Sequence, residues 1–239
     1  MEIKVGTCGF GEGKNKYFKH FKVVEIQETF YQTGNFSKYE KWRKEAPDDF
    51  EFVIKAWQLI THKPSSPTYK RLKIKISNKE NYGFFKNTKE VFEAWETIDK
   101  ICQILKTKLI LFQTPASFEP TKENKENLKN FFKKIERKNY IFIWEPRGKW
   151  KIKEIKEICK KLNLVHCVDP FKEKPIFGEI NYFRLHGMPN YNLRYKYTNE
   201  DFKELLRFCD KKINYVMFNN ISMVDDAKKF QTFLNSKNI

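Results

Sequence analysis

The sequence contains few arginines and no long apolar segment. Of its 47 basic residues, only seven are arginine, and reading of DNA bases relies on the forked arginine side chain. Base-specific recognition of nucleic acid is therefore disfavoured. No apolar run approaches the roughly 20 residues of a membrane-spanning helix, and MEIKVG leads into a strand pattern without an apolar leader. We expect no membrane partner.

The cysteines are scattered, odd in number and without the spacing of a metal site. They are Cys8, Cys102, Cys159, Cys167 and Cys209. A tight zinc motif such as HExxH does not occur either. Reduced and mostly buried thiols are typical of the cytoplasm, so we expect a cytoplasmic protein without a disulfide framework.

The chain is strongly basic. Its 47 basic and 30 acidic residues give a formal charge of +17. Such an excess favours polyanionic partners, namely nucleic acid or phosphorylated ligands. A lysine-rich surface that reflects genome composition or a hot habitat would produce the same charge without any such partner, and both interpretations stay open.

Strand patterns alternate with helical patterns along all 239 residues. The predicted strands are residues 3–8, 23–30, 50–57, 109–113, 140–145, 164–168, 180–187 and 215–218. About seven helices lie between and after them. Strict alternation implies parallel pairing, and eight such units predict an α/β fold, a (β/α)8 TIM barrel formed by one domain over residues 1–239. A doubly wound open sheet is the competing architecture.

One connection is unusually long and basic. Residues 61–83 follow the third strand without a clear helical pattern, and they carry a run of cations. These cations are Lys70, Arg71, Lys73, Lys75 and Lys79. A long loop within a compact domain is usually a lid or a binding loop; the alternative is a solvated insertion.

Short motifs at the strand ends point to a known family. They are VGTCGF (5–10), VEIQ (24–27) with TFY (29–31), FVIK (52–55) with ITH (60–62), LFQTP (111–115), Glu145 with Arg147 and Trp150, YFRLHG (182–187) and FNN (218–220). In this order and spacing the chain resembles the YecE-like family, a domain of unknown function. The resemblance implies a TIM barrel. It indicates positions for candidate site residues but implies no particular reaction.

The chain departs from the family pattern at three places. Gln27 stands where asparagine is usual, and Cys8 stands where many members have serine. The segment after Glu145 is shorter and lacks the histidine that usually follows Arg147. The missing histidine weakens any metal site that would have used it.

Polar residues at the strand ends and in the following loops form the candidate site, because a TIM barrel binds its ligand at the carboxyl ends of the strands. The predicted site residues are Glu25, Gln27, Lys55, His62, Gln113, Glu145, Arg147, Asp169, Arg184, His186, Tyr191, Tyr195 and Asn219. Alternation in the seventh strand predicts that Arg184 and His186 both face the barrel axis, with Phe183 and Leu185 packed against the helices.

Two interpretations of these residues compete. In the first, His186 is a general acid or base with Glu145 or Asp169 as its partner, and the two arginines hold an anionic group. Lys55 would form a Schiff base or pair with Glu25. In the second, the charges form a buried ion network with the pairs Glu25–Lys55 and Glu145–Arg184.

Two further features bear on the ligand. No cofactor is indicated with certainty, although a divalent metal bound by His62, His186, Glu145 and Asp169 stays open as an alternative. Tyr191, Tyr195 and Tyr197 lie near Arg194 in one loop. Aromatics interleaved with cations suit a single-stranded or flipped nucleotide, and the alternative is that these tyrosines pack the lid.

The sequence supports three functions without separating them. The first is a hydrolase-like enzyme that acts on a phosphorylated or nucleic-acid substrate at the carboxyl ends of the strands. The second is a non-catalytic nucleic-acid-binding protein, and the third is a sugar-phosphate or small-acid metabolic enzyme. The reaction, the substrate and the oligomeric state do not follow from the sequence.

Overall fold

The structure, a computed structural model, describes residues 1–189 and 191–238 and contains a closed barrel of eight parallel strands. The strands are β1 (Glu2–Cys8), β2 (Val23–Ile26), β3 (Glu51–Lys55), β4 (Leu109–Gln113), β5 (Ile141–Glu145), β6 (Leu164–Val168), β7 (Asn181–Leu185) and β8 (Ile213–Phe218). Each strand pairs with its neighbour in sequence, and β8 pairs with β1 to close the sheet. The predicted (β/α)8 barrel is confirmed, whereas the boundary at residue 239 lies outside the described residues.

Nine α-helices cover the barrel in the described part of the chain. They are α1 (Lys14–His20), α2 (Glu28–Tyr31), α3 (Phe36–Glu45), α4 (Gln58–Thr61), α5 (Lys89–Leu105), α6 (Lys122–Lys134), α7 (Ile152–Leu162), α8 (Asn199–Phe208) and α9 (Met223–Asn235). Two 3₁₀ turns, Pro67–Arg71 and Lys79–Asn81, lie within the long basic loop. No helix among the described residues is long and apolar enough to cross a membrane.

The second strand is shorter than predicted. It ends at Ile26 rather than at residue 30, and the next residues form α2. The single proton of the Thr29 hydroxyl is shared between the carbonyl oxygens of Ile26, at 3.0 Å, and Lys55, at 2.7 Å. These two bonds fix a turn over the barrel rim, which carries Phe30 and Tyr31 towards the barrel mouth.

Alternation along each strand divides the side chains between two apolar layers. The outer layer packs against the helices and includes Phe183 and Leu185. The barrel interior includes Cys8, Val23 and Tyr182. Glu25 also points inward, since it contacts Tyr182 across the barrel. The orientation of β2, which the sequence left open, therefore places a carboxylate in the interior.

The amino-terminal end of the barrel is also polar. Glu51 pairs there with Lys4 and accepts a hydrogen bond of 2.6 Å from the Tyr215 hydroxyl. A cavity of about 510 Å³ lies at this end. Polar residues at the amino-terminal face of a TIM barrel contribute to stability, whereas ligands bind at the opposite face. The ligand-binding site is therefore expected at the carboxyl ends of the strands.

Candidate active site at the carboxyl ends of the strands

A cavity of about 360 Å³ opens at the carboxyl ends of the strands. Its walls are formed by Gln27, Phe30, Tyr31, Lys55, His62, Thr68, Gln113, Arg147, Arg184, His186, Tyr191, Leu193 and Asn219. The structure thus brings most of the predicted site residues together. Four of them do not line the cavity: Glu25, Glu145, Asp169 and Tyr195.

A buried ion network forms the floor of the cavity. Arg184 is 1% exposed, and its Nε and Nη2 each donate to the Glu25 carboxylate at 3.0 Å. Its Nη1 donates to Glu145 Oε2 at 2.7 Å. The Tyr182 hydroxyl donates to Glu25 Oε2 at 2.7 Å. Both edges of the Arg184 guanidinium are therefore occupied by the protein's own carboxylates.

The predicted charge pairs are formed only in part. Glu145 pairs with Arg184 as predicted, whereas Glu25 pairs with Arg184 and not with Lys55. The guanidinium fork reaches both oxygens of a carboxylate at once, which a single ammonium group cannot do. The Glu25–Lys55 pair was therefore a wrong prediction. Glu25, predicted to bind substrate, is part of the buried network and does not line the cavity.

The pKa values of the two buried carboxyl groups follow from this network. Burial alone would raise the pKa of Glu25 and of Glu145, but attraction by the neighbouring cations, Arg184 first, outweighs burial. The pKa of each group consequently lies below its ordinary value, and both side chains are carboxylates at neutral pH.

Arg147 differs from Arg184 in exposure and in unused donors. Its Nε and Nη2 donate to Glu145 Oε1 at 3.0 and 2.8 Å, and its side chain is 30% exposed against 1% for Arg184. Its Nη1 has no hydrogen-bond partner within the described residues. Of the two predicted anion-binding arginines, Arg147 therefore has donors available to a ligand.

His186 is held as a neutral proton acceptor on the cavity wall. Its Nε2 lies 3.3 Å from Arg147 Nη2 and 3.4 Å from Arg184 Nη1. Because a guanidinium can only donate, Nε2 must carry the lone pair. Burial, aided by the nearby Arg184, lowers the pKa of His186. The ring is therefore neutral and does not fit the general acid that the sequence also allowed; to act as a base it would first have to lose these two donors.

The predicted acidic partners of His186 have other roles. The Asp169 carboxylate accepts hydrogen bonds from the backbone nitrogens of His186 at 3.0 Å and Phe171 at 3.2 Å. Its Oδ2 is 3.7 Å from His186 Nδ1, beyond hydrogen-bond distance. Both oxygens of Glu145 accept from the arginines. Asp169 thus fixes the strand end, and Glu145 belongs to the ion network.

Lys55 lies at the end of β3 on the cavity wall and is 5% exposed. Its Nζ is 4.3 Å from the centre of the Phe30 ring and 3.5 Å from Gln27 Oε1. Gln27 itself donates to Glu25. Burial, followed by repulsion from Arg184, lowers the pKa of Lys55 to about 7. This amine is therefore half neutral near physiological pH.

The remaining cavity residues are neutral hydrogen-bonding groups and aromatic rings. Burial lowers the pKa of His62 to about 3, and its Nδ1 lies 2.8 Å from Thr61 Oγ1, so the ring is neutral. The side chains of Gln27, Gln113 and Asn219 can donate and accept. Together they supply contacts for the hydroxyl and carbonyl groups of a polar ligand.

The tyrosine-rich loop contributes one tyrosine to the cavity. The Tyr191 ring centre lies 4.4 Å from that of His186 and is covered on one side by Lys172, with Nζ 3.3 Å from the Tyr191 centroid. Tyr195 donates instead to Asp201 Oδ2 at 2.8 Å and packs against Tyr197. Tyr195 does not line the cavity, and its hydroxyl holds the start of α8.

Four lining residues were not predicted from the sequence. Phe30 was placed at the end of a strand, and the TFY motif contained both Phe30 and Tyr31. Thr68 lies in a 3₁₀ turn of the long basic loop, and Leu193 lies in the tyrosine-rich loop. The metal alternative gains no support from the geometry. In residues 1–189 and 191–238, no three or more His, Cys, Asp or Glu side chains are arranged to hold a metal ion.

The fold and this site define a (β/α)8 barrel protein with a polar cavity at the carboxyl ends of its strands. Residues 13–239 match the family described as "Protein of unknown function DUF72". The chain belongs to the DUF72 family.

Individual relatives agree with this assignment. The chain is 32% identical over 109 residues to the UPF0759 protein YunF of Bacillus subtilis, which is 45% of this chain and 33% of YunF. The match thus spans about a third of that curated relative. A DUF72 family structure from Enterococcus faecalis superposes with a TM-score of 0.74 at 21% identity, covering 100% of this chain and 98% of the other. A second, from Thermotoga maritima, gives 0.69 at 20%, covering 98% and 100%.

Solved structures outside the family share the barrel. D-psicose 3-epimerase has a TM-score of 0.57 at 12% identity over 99% of both chains. SacUVDE has a TM-score of 0.56 at 10% identity, over 92% of this chain and 82% of the other. At such identity the likeness concerns the fold alone, and function has to be argued from the site.

Proposed function

We propose that this protein is an enzyme that acts on a small phosphorylated or carboxylated molecule in the cavity at the carboxyl ends of the strands. The observation that carries the proposal is the contrast between the two arginines. Arg184 is saturated by buried carboxylates, whereas Arg147 is partly exposed on the wall with Nη1 directed to no described protein acceptor. An arginine with open donors beside a neutral histidine suits an anionic group.

The size and composition of the cavity support a small substrate. Its volume of about 360 Å³ lies at the lower end of the range of ~300–1,000 Å³ for small-molecule sites. Arg147 would hold the anion, and the amides of Gln113 and Asn219 would orient hydroxyl or carbonyl groups. His186 would border the ligand as a neutral ring. This function corresponds to the sugar-phosphate or small-acid alternative, and hydrolase-like chemistry stays a prediction.

Calorimetry with inorganic phosphate tests the anion site. Arg147→Met should weaken phosphate binding by about 10- to 100-fold, since a hydrogen bond to a charged group contributes about 1.5–3 kcal/mol. Arg147→Lys should recover part of that loss, because it restores the charge without the fork. Arg194→Met, which removes an exposed arginine from the neighbouring loop, is the matched control. Equal phosphate affinity in Arg147→Met and Arg194→Met would refute the site.

A second candidate function rests on the basic loop beside the cavity. Lys70, Arg71, Lys73 and Lys75 are exposed, and the Arg71 guanidinium lies 3.6 Å from the centre of the Tyr31 ring, which lines the cavity. A cation stacked on an aromatic at a cavity mouth suits a single-stranded nucleic acid. This arrangement favours nucleic-acid binding, either as a non-catalytic function or as recognition of a polymeric substrate.

Salt dependence separates the second candidate from the first. If the loop binds nucleic acid, the logarithm of the binding constant for a single-stranded oligonucleotide should fall linearly with the logarithm of the salt concentration. Changing the four cations to glutamine should reduce the magnitude of this slope by about 3, because each phosphate contact contributes about 0.7. Arg147→Met should then leave that slope nearly unchanged. Binding that is absent at moderate salt would exclude the nucleic-acid function and leave the small-substrate proposal intact.

A further inference from the structure

The amine of Lys55 is buried, and among the described residues it forms no ion pair. No carboxylate oxygen in the described part of the chain lies within 4.0 Å of its Nζ. The two nearest buried carboxylates, Glu25 and Glu145, are engaged by the guanidiniums of Arg184 and Arg147. Its neighbours are the Phe30 ring and the Gln27 amide oxygen, so Lys55 is placed on the cavity wall without an ionic partner.

This placement gives the amine an available lone pair. With a pKa of about 7, about half of the Lys55 side chains are neutral at pH 7. An ordinary lysine of pKa ~10.4 is neutral in fewer than about one molecule in a thousand. Desolvation beside another cation is a recognised way to activate a lysine as a nucleophile.

We propose that Lys55 is a catalytic nucleophile that forms an imine with an aldehyde or ketone substrate whose phosphate or carboxylate group is held by Arg147. The inference rests on the proposed function and specifies its substrate class. The Nζ lone pair attacks the carbonyl carbon, and one amine proton moves to the former carbonyl oxygen to give a neutral carbinolamine. That hydroxyl takes up a second proton from solvent and leaves as water, which leaves a protonated C=N bond to Lys55. The protonated imine then withdraws electrons from the adjacent carbon.

The composition of the cavity suits this chemistry. Lys55 and Arg147 both line one space of about 360 Å³, which is small enough for one molecule to contact both residues. Neutral His62 and neutral His186 line the same space and place no further positive charge beside the amine. The alternative is that Lys55 only stacks on Phe30 as a cation, in which case it would form no adduct.

Reductive trapping tests the imine. The protein is incubated separately with dihydroxyacetone phosphate and with pyruvate, and sodium borohydride then delivers hydride to the imine carbon to give a stable secondary amine. Intact mass and peptide mapping should find a single adduct on Lys55 with at least one probe. Lys55→Met should lose at least ~90% of this adduct. Lys172→Met, which removes another lysine near the mouth, should retain it.

The pH dependence provides a second readout. Trapping at Lys55 should rise as the pH passes upward through about 7, because the neutral amine is the nucleophile. Labelling of many exposed lysines, or an unchanged adduct in Lys55→Met, would overturn the proposal. Lys55→Met should remain folded with an equal or higher Tm, since it removes a desolvated amine, so loss of the adduct does not reflect unfolding.

The outcomes distinguish the imine from the proposed function. A wild-type protein that binds phosphate through Arg147 but traps neither probe would overturn the role of Lys55 and leave the anion site standing. A wild-type protein that neither binds phosphate nor traps a probe would overturn both.

Discussion

Replacing Arg184 with methionine should lower the free energy of unfolding by about 3–5 kcal/mol. The reason is that Glu25 and Glu145 would then be buried carboxylates without their main partner; at present Arg184 contacts both at 2.7–3.0 Å. For a chain of this size, the loss corresponds to a decrease in Tm of roughly 6–20 °C. Urea denaturation monitored by tryptophan fluorescence provides the measurement.

Two comparison variants make the Arg184 result specific. Arg207→Met removes an exposed arginine and should change stability by less than ~0.5 kcal/mol. Combining Arg184→Met with Glu25→Gln and Glu145→Gln should recover part of the loss, because the uncompensated charges are removed together. If Arg184→Met alone costs less than about 1 kcal/mol, the ion network does not stabilise the barrel as described.

Stability should fall steeply in acid because of the same two carboxylates. The folded-state pKa values of Glu25 and Glu145 are lowered, so their stabilising contribution is complete above the unfolded pKa near 4.5. As the pH falls below that value, the unfolded chain binds two protons that the folded chain does not. The free energy of unfolding should then decrease by about 2.7 kcal/mol per pH unit from these groups until the folded-state pKa values are reached.

The contribution of one carboxylate can be isolated by measuring how the free energy of unfolding of a variant changes with pH in acid. Glu25→Gln should reduce the slope below pH 4.5 by about one proton, or about 1.4 kcal/mol per pH unit. Glu157→Gln, which removes an exposed carboxylate from α7, controls for the loss of one negative charge. Denaturant midpoints measured from pH 3 to pH 6 give both slopes. Parallel curves for the wild type and Glu25→Gln would contradict the lowered pKa of Glu25.

The fold could be predicted from the sequence because its signals are local and repeated. Each parallel strand is a short apolar run, and a helical pattern follows it, so eight repetitions imply closure of the sheet. Alternation also predicted that Arg184 in β7 and His186 just after it face the barrel axis, which the structure confirms through their contacts with Glu145 and Arg147. Such a prediction needs only the fact that successive side chains of a strand point to opposite faces of the sheet.

The pairing of charges could not be predicted, because it depends on distances across the barrel. Glu25 and Lys55 are close in strand order, but Arg184 is 159 residues from Glu25 in sequence and still reaches both of its oxygens. The pattern gives the direction of a side chain and not its reach. For the same reason the sequence did not reveal that Asp169 accepts hydrogen bonds from backbone nitrogens and that the Tyr195 hydroxyl donates to Asp201 at the start of α8.

The short α2 helix shows a second limit of sequence patterns. Residues 23–30 alternate like one continuous strand, yet two hydrogen bonds from the Thr29 hydroxyl turn the chain after Ile26. One of these bonds goes to the carbonyl oxygen of Lys55 in β3, which is a tertiary contact. Local propensity cannot anticipate such a bond, and it determines that Phe30 packs against the Lys55 amine.

The most direct test of the proposed anion site is a crystal structure of the wild-type protein soaked with inorganic phosphate, compared with Arg147→Met crystals treated identically. We predict density for a tetrahedral anion in the cavity within hydrogen-bond distance of Arg147 Nη1, and no such density in the variant. A cavity without an anion, or an anion that persists in the Arg147→Met crystals, would contradict the proposed function.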